Sequence, residues 1–156
     1  MYLYSLMFSA GGTVREVLDV YQSALSEPLA PVTSTDGGWW EWWDKTDTVE
    51  TTVGPASEGD VYFSRGAGGF DAAVTCNLWI SKMPDVDHAA VFRNALSGAV
   101  AVCDAFGCDC TYITQEFVLF TVISGRVIFN QAAGVTDEER LRGFSRPYSV
   151  KIFPVL

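Results

Sequence analysis

His88 is the chain's one imidazole. Acid–base or nucleophilic catalysis by histidine would have to be built on it, beside Asp85 and Asp87. A serine nucleophile needs that base within hydrogen-bond reach, and no serine occupies a G-x-S-x-G elbow. Cys103 and Cys108 are candidate thiol nucleophiles. Cys103, however, lies fifteen positions beyond His88 on one predicted helix, which sets the two about 22 Å apart along its axis. His88 is therefore predicted to be a helix-surface residue and the chain to be non-catalytic. Cys76, Cys103, Cys108 and Cys110 complete the thiol inventory, three of them in "CDAFGCDC". Their spacing lacks the paired C-x2-C knuckles of structural zinc. A Cys108–Cys110 disulfide would be strained, so reduced thiols are predicted, with Cys103 in the core. No metal and no cofactor is expected.

Two glycine-rich stretches could cradle phosphate. "SRGAGGF" at 64–70 has Arg65 beside it but no lysine followed by Ser or Thr, and it reads as a bulge or wide turn. "GGTVRE" at 11–16 reads as a helix cap. Among the carboxylates, Asp44 with Asp47, Asp85 with Asp87, and Asp109 have no opposing partner that spacing can assign.

The chemistry that stands out is aromatic and acidic. "GGWWEWWDKTDTVETTV", 37–53, holds four tryptophans in five positions. Residues 36–60 carry Asp36, Glu41, Asp44, Asp47, Glu50, Glu58 and Asp60 against Lys45, which is −6 of the chain's net −9. Such a field repels nucleic acid and attracts a basic protein. On a strand, Trp40 and Trp42 share one face, while Trp39, Glu41 and Trp43 share the other. If helices cover the first pair, the second must find cover elsewhere or stand exposed as binding anchors. The candidate partner-binding residues are accordingly Trp39, Glu41, Trp43, Asp44, Asp47 and Glu50.

The elements that must position these residues can be read from periodicity. Residues 2–9 read as a strand. Thr13 and Glu16 form a capping box ahead of an amphipathic helix over "TVREVLDVYQSALSE", ending before Pro28. "EPLAPVTSTDGG" reads as a loop, "WWEWW" and "TVETTV" as strands joined by "DKTD", and "GPASEGD" as a turn. "VYFSRG" and "FDAAVTCNLWIS" read as strands. A second helix opens at Pro84–Asp85 with the stripe Phe92, Leu96, Ala99, Cys103 and Phe106, and Gly107 is its C-cap. "FVLFTVI" and "RVIFNQ" form a hairpin about "SG". "TDEERLRGF" reads as a short helix capped by Thr136, and "YSVKIFPVL" as a terminal strand.

With 156 residues, 49% of them hydrophobic, a single domain over 1–156 is expected. The predicted fold is α+β: an antiparallel sheet of about six or seven strands with two main helices on one face, side by side as in ferredoxin-like arrangements. No spanning segment and no signal-peptide pattern is read, so the cytoplasm is the expected location.

A small, acidic, histidine-poor α+β chain with the late hairpin "FVLFTVISGRVIFNQ" after a helix resembles bacterial immunity proteins of polymorphic toxin systems and small phage-encoded inhibitors. The resemblance lies in size, charge and layout. It implies a non-catalytic protein that neutralises a basic partner, such as a toxin enzyme, by occluding its site. Two other readings fit the composition. One is a small-molecule binder or small enzyme with a pocket between helix and sheet, lined by tryptophans and Arg65 or Arg126. The other is a structural subunit whose tryptophan face closes a homodimer.

Overall fold

The computed structural model describes residues 1–25, 32–115 and 117–156. The first helix, predicted to run to Glu27, ends at Ser23 with Ala24 as its C-cap, and the part of the predicted loop over 27–31 lies outside the described residues. Strand β1 (Tyr2–Phe8) leads into helix α1 (Val14–Ser23), which starts where Thr13 and Glu16 satisfy each other's free amides. Then come β2 (Thr33–Ser34), β3 (Trp40–Trp43), β4 (Val49–Pro55), α2 (Glu58–Gly68), β5 (Val74–Ile80) and α3 (His88–Phe106). Strands β6 (Cys110–Thr114), β7 (Phe117–Ile123), β8 (Arg126–Asn130) and β9 (Tyr148–Lys151) complete the chain.

All nine strands form one sheet in the order β2-β3-β4-β5-β1-β6-β7-β8-β9. Its centre, β4-β5-β1-β6 with α1 and α3, follows the β-α-β-β-α-β ferredoxin-like pattern. The sheet is mixed rather than antiparallel, because β9 runs parallel to β8. The expectation of six or seven strands is exceeded at both ends: β2 and β3 extend one edge, and β7 to β9 the other.

Helices α1 and α3 lie together on one face, over Leu6, Phe8, Val53, Cys76, Leu78, Tyr112 and Phe120. Their close approach depends on Gly98, where an added Cβ would stand 2.3 Å from the Tyr21 ring. By length and apolarity alone α3 could cross a membrane. In this fold its stripe Phe92, Leu96, Ala99 and Cys103 is buried in the core, while Phe106 is only partly buried and covers Gly12.

Within the predicted loop 27–38 the described residues hold the short strand β2 and a 3-10 turn over Asp36–Gly38, and two further expected elements are different in the structure. "SEGDVYFSRGAGG", read as a turn, a strand and a glycine bulge, is helix α2. Ser57 and Asp60 form its capping box, and Gly69 ends it in the left-handed region at φ 71°. Its β-branched and aromatic residues and three internal glycines weaken helix propensity. Burial of Ser64 and Ala67 on the sheet face opposite α1 and α3 outweighs that. The Ser64 hydroxyl also holds the returning chain, bonding the Phe70 carbonyl at 2.9 Å and accepting the Ala72 amide at 3.0 Å. Arg65, beside these glycines, pairs with Asp71 across the helix end.

"TDEERLRGF" forms turns, not a helix. A single α-type bond, Leu141 N–H to the Asp137 carbonyl, is followed by a tighter Phe144-to-Leu141 bond, and Gly143 turns left-handed at φ 78°. So short a segment cannot offset helix nucleation without a buried face.

Candidate functional site

The strand period divides the tryptophans two and two. Trp42 is 5% exposed and packs beneath α1, its ring 6.1 Å from that of Tyr21. Trp40 lies on the same face, with the Arg15 guanidinium 4.7 Å from its ring centre. That cation–π contact ties α1 to the outer strand.

Trp39, Glu41 and Trp43 face the other way. Strand register extends that face across the sheet: Trp43 stands opposite Glu50, Glu50 opposite Trp79, and Trp79 opposite Leu3. A second row runs Glu41, Thr52, Asn77, Ser5, where the Ser5 hydroxyl donates to Asn77 Oδ1 at 2.7 Å. Helix α2 lies on this face too, but over β6 and β7 at the far side. Among the described residues, Leu3, Trp39, Trp43 and Trp79 belong to neither hydrophobic core. Trp43 is 41% exposed and Leu3 37%. Trp39 is half-buried because it lies flat on the sheet, over a glycine: a Cβ on Gly54 would be 2.1 Å from its ring.

The acids of the β3–β4 connection divide by role. Asp44 Oδ1 accepts the amides of Thr48 and Val49 at 2.7 and 2.9 Å. Its Oδ2 accepts the hydroxyls of Thr46 and Thr48 at 2.6 and 3.0 Å. Partial burial works against the charge, but these donors prevail and hold the Asp44 carboxyl below its usual range. Asp44 therefore shapes the turn, with its carboxylate turned inward. Asp47 occupies the turn's left-handed position, φ 53°, and is exposed. Among the described residues, Glu41, Asp47 and Glu50 make no ion pair.

The six sequence-derived residues thus fall into one neighbourhood at the β3 edge. Trp39, Glu41, Trp43 and Glu50 share the uncovered face, Asp47 tips the adjoining turn, and Asp44 supports it. Trp79 and Leu3 were missed. Their signal was present in the alternation of β1 and β5, but only strand pairing shows that they extend the same row.

On the α1–α3 face of the same strands is a cavity of about 880 Å³. Its lining includes Tyr21, Trp42, Thr51, Leu78 and Val91, with Asp85 and Asp87 from the start of α3. It is a helix–sheet pocket bordered by tryptophans, but Arg65 and Arg126 are not among its lining. Arg65 borders a separate hollow between α2 and the C-terminal Leu156. His88 is exposed and edge-on to Tyr2. All four cysteines are free thiols in the core. Among the described residues no group of three His, Cys, Asp or Glu side chains is gathered for a metal ion.

What these features define is an α+β protein with an extended ferredoxin-like sheet and an acidic, aromatic half-face. Comparison with known proteins found no matching family, no matching curated protein and no matching solved structure.

Proposed function

We propose that this chain is a non-catalytic binding protein that neutralises a basic protein partner by occluding that partner's site, in the manner of an immunity protein or small inhibitor. The observation that carries the reading is the uncovered row Trp43–Glu50–Trp79–Leu3 with Glu41 beside it. Large aromatic groups supply apolar contact at low entropic cost, and tryptophan dominates binding hot spots. Interleaved carboxylates select cationic side chains, whose apolar stems can lie along the indole faces. The concentration of negative charge in residues 36–60 would steer a basic partner to this edge.

The test begins with the products of the neighbouring reading frames, purified and mixed with this chain. An equimolar complex is expected, with the partner's activity suppressed. By titration calorimetry, Trp43→Ala and Trp79→Ala should each weaken the complex about tenfold or more, the range of a hot-spot residue. Glu50→Lys should weaken it further and slow association. A complex whose affinity all three variants leave unchanged would remove this face from the interface. A tight homodimer that hides Trp43, seen by sedimentation, would replace the reading with self-association.

A further inference from the structure

The cavity on the α1–α3 face meets the docking row at Glu41 and Trp43, and its chemistry is specific. Its floor is a cross-strand row, Trp42 opposite Thr51 and Thr51 opposite Leu78. Tyr21 of α1 and Val91 of α3 form the walls. The volume of about 880 Å³ falls within the usual range of small-molecule sites.

Thr51 is an independent pointer to a ligand. It is 5% exposed and lines the cavity, yet among the described residues its hydroxyl has no hydrogen-bond partner. That hydroxyl opens on the cavity, where a bound polar group can take the place of water. The charge of that group follows from the lining. Among the described residues the cavity is lined by Glu41, Asp44, Asp47, Asp85 and Asp87 against the single cation Lys45. Asp87 also caps α3 through the Ala90 amide, and Asp44 is engaged in its turn, which leaves Glu41, Asp47 and Asp85 to face an incoming cation.

We infer that this cavity is a binding site for a small organic cation with an apolar body, of the aryl-alkylamine class. The apolar part lies on Leu78 and Val91 and against the Trp42 and Tyr21 rings. The ammonium donates to the Thr51 hydroxyl within the field of the acidic lining. Indole and phenol faces add cation–π attraction that a neutral analogue cannot gain. The site adjoins the proposed docking face, sharing Glu41 and Trp43 with it, whereas Glu50 and Trp79 do not line it and so separate the two in a test.

Three probes of similar size and different charge test this on the full chain: 2-phenylethylamine, 2-phenylethanol and 3-phenylpropanoate. By calorimetry the amine should bind about tenfold more tightly than the other two, and it alone should raise the melting temperature. Thr51→Val and Asp85→Asn should each weaken the amine several-fold, with circular dichroism unchanged. Val91→Trp, which fills the cavity, should abolish binding, and should it fail to fold, the other two variants still decide. Glu50→Lys should leave amine affinity unchanged while weakening any protein complex. Failure of the amine to bind, equal binding of all three probes, or wild-type affinity in both Thr51→Val and Asp85→Asn would overturn the assignment.

Discussion

Asp44 illustrates how a residue of binding type can be consumed by structure. Its two oxygens receive four donors from Thr46, Thr48 and Val49. Asp44→Ala should therefore destabilise the protein by about 1–3 kcal/mol, read from the urea midpoint, because charge-assisted bonds at a turn are lost together. The pH dependence has a definite sign. The unfolded chain takes up a proton near the ordinary value of 3.8, while the folded Asp44 keeps its charge to lower pH. Its contribution is present at neutral pH and lost as pH falls through the acid range. The thiols behave oppositely. Burial pushes Cys76 and Cys110 above their ordinary 9.0. The unfolded state then ionises first, so the urea midpoint should fall as pH rises from about 8 to about 10. In the native protein a thiol reagent should label none of the four cysteines at an appreciable rate, and all four once it is unfolded.

At the scale of elements, close approaches set the stability of the helix and strand packing. Gly54→Ala puts a methyl group where the Trp39 ring lies. We expect a loss of about 1–3 kcal/mol, typical of overpacking, with a red shift in tryptophan emission as the indole is lifted into water. Ser57→Ala removes one half of the capping box that starts α2, at a cost of about 1 kcal/mol. Helix α1 was legible because its capping box precedes an uninterrupted apolar face. Helix α2 carries the same kind of box at Ser57 and Asp60, but its glycines and its Val-Tyr-Phe run point locally to turn and strand. Only the packing of Ser64 and Ala67 on β6 and β7 overrides that local preference.

Across the whole molecule, strand order controls both stability and access. Strands β1, β5 and β6 are paired on both sides and covered by helices, so their amides should exchange slowest, while β2 and β9 at the edges exchange first. A nine-stranded sheet is too wide for its helices to cover completely. Helices α1 and α3 lie over one face, α2 over β6 and β7 on the other, and among the described residues no helix covers the β3–β4–β5–β1 half of that second face.

The sequence by itself determined the α+β class, the strand signals and the caps at Thr13 and Gly107, the clustering of charge, and the two-and-two division of the tryptophans. These are local properties: side-chain period, cap chemistry and composition act within a few residues. That α3 starts at His88 with Asp87 as its cap, and not at Pro84–Asp85, came from the structure. Tertiary structure decided which pair of tryptophans α1 covers, that Trp79 and Leu3 continue the row begun by Trp43, and that Trp42, Thr51 and Leu78 form a cavity floor. Each of these depends on register between strands, as far apart as Leu3 and Trp79, which is settled by global burial and has no signature in any short stretch of chain.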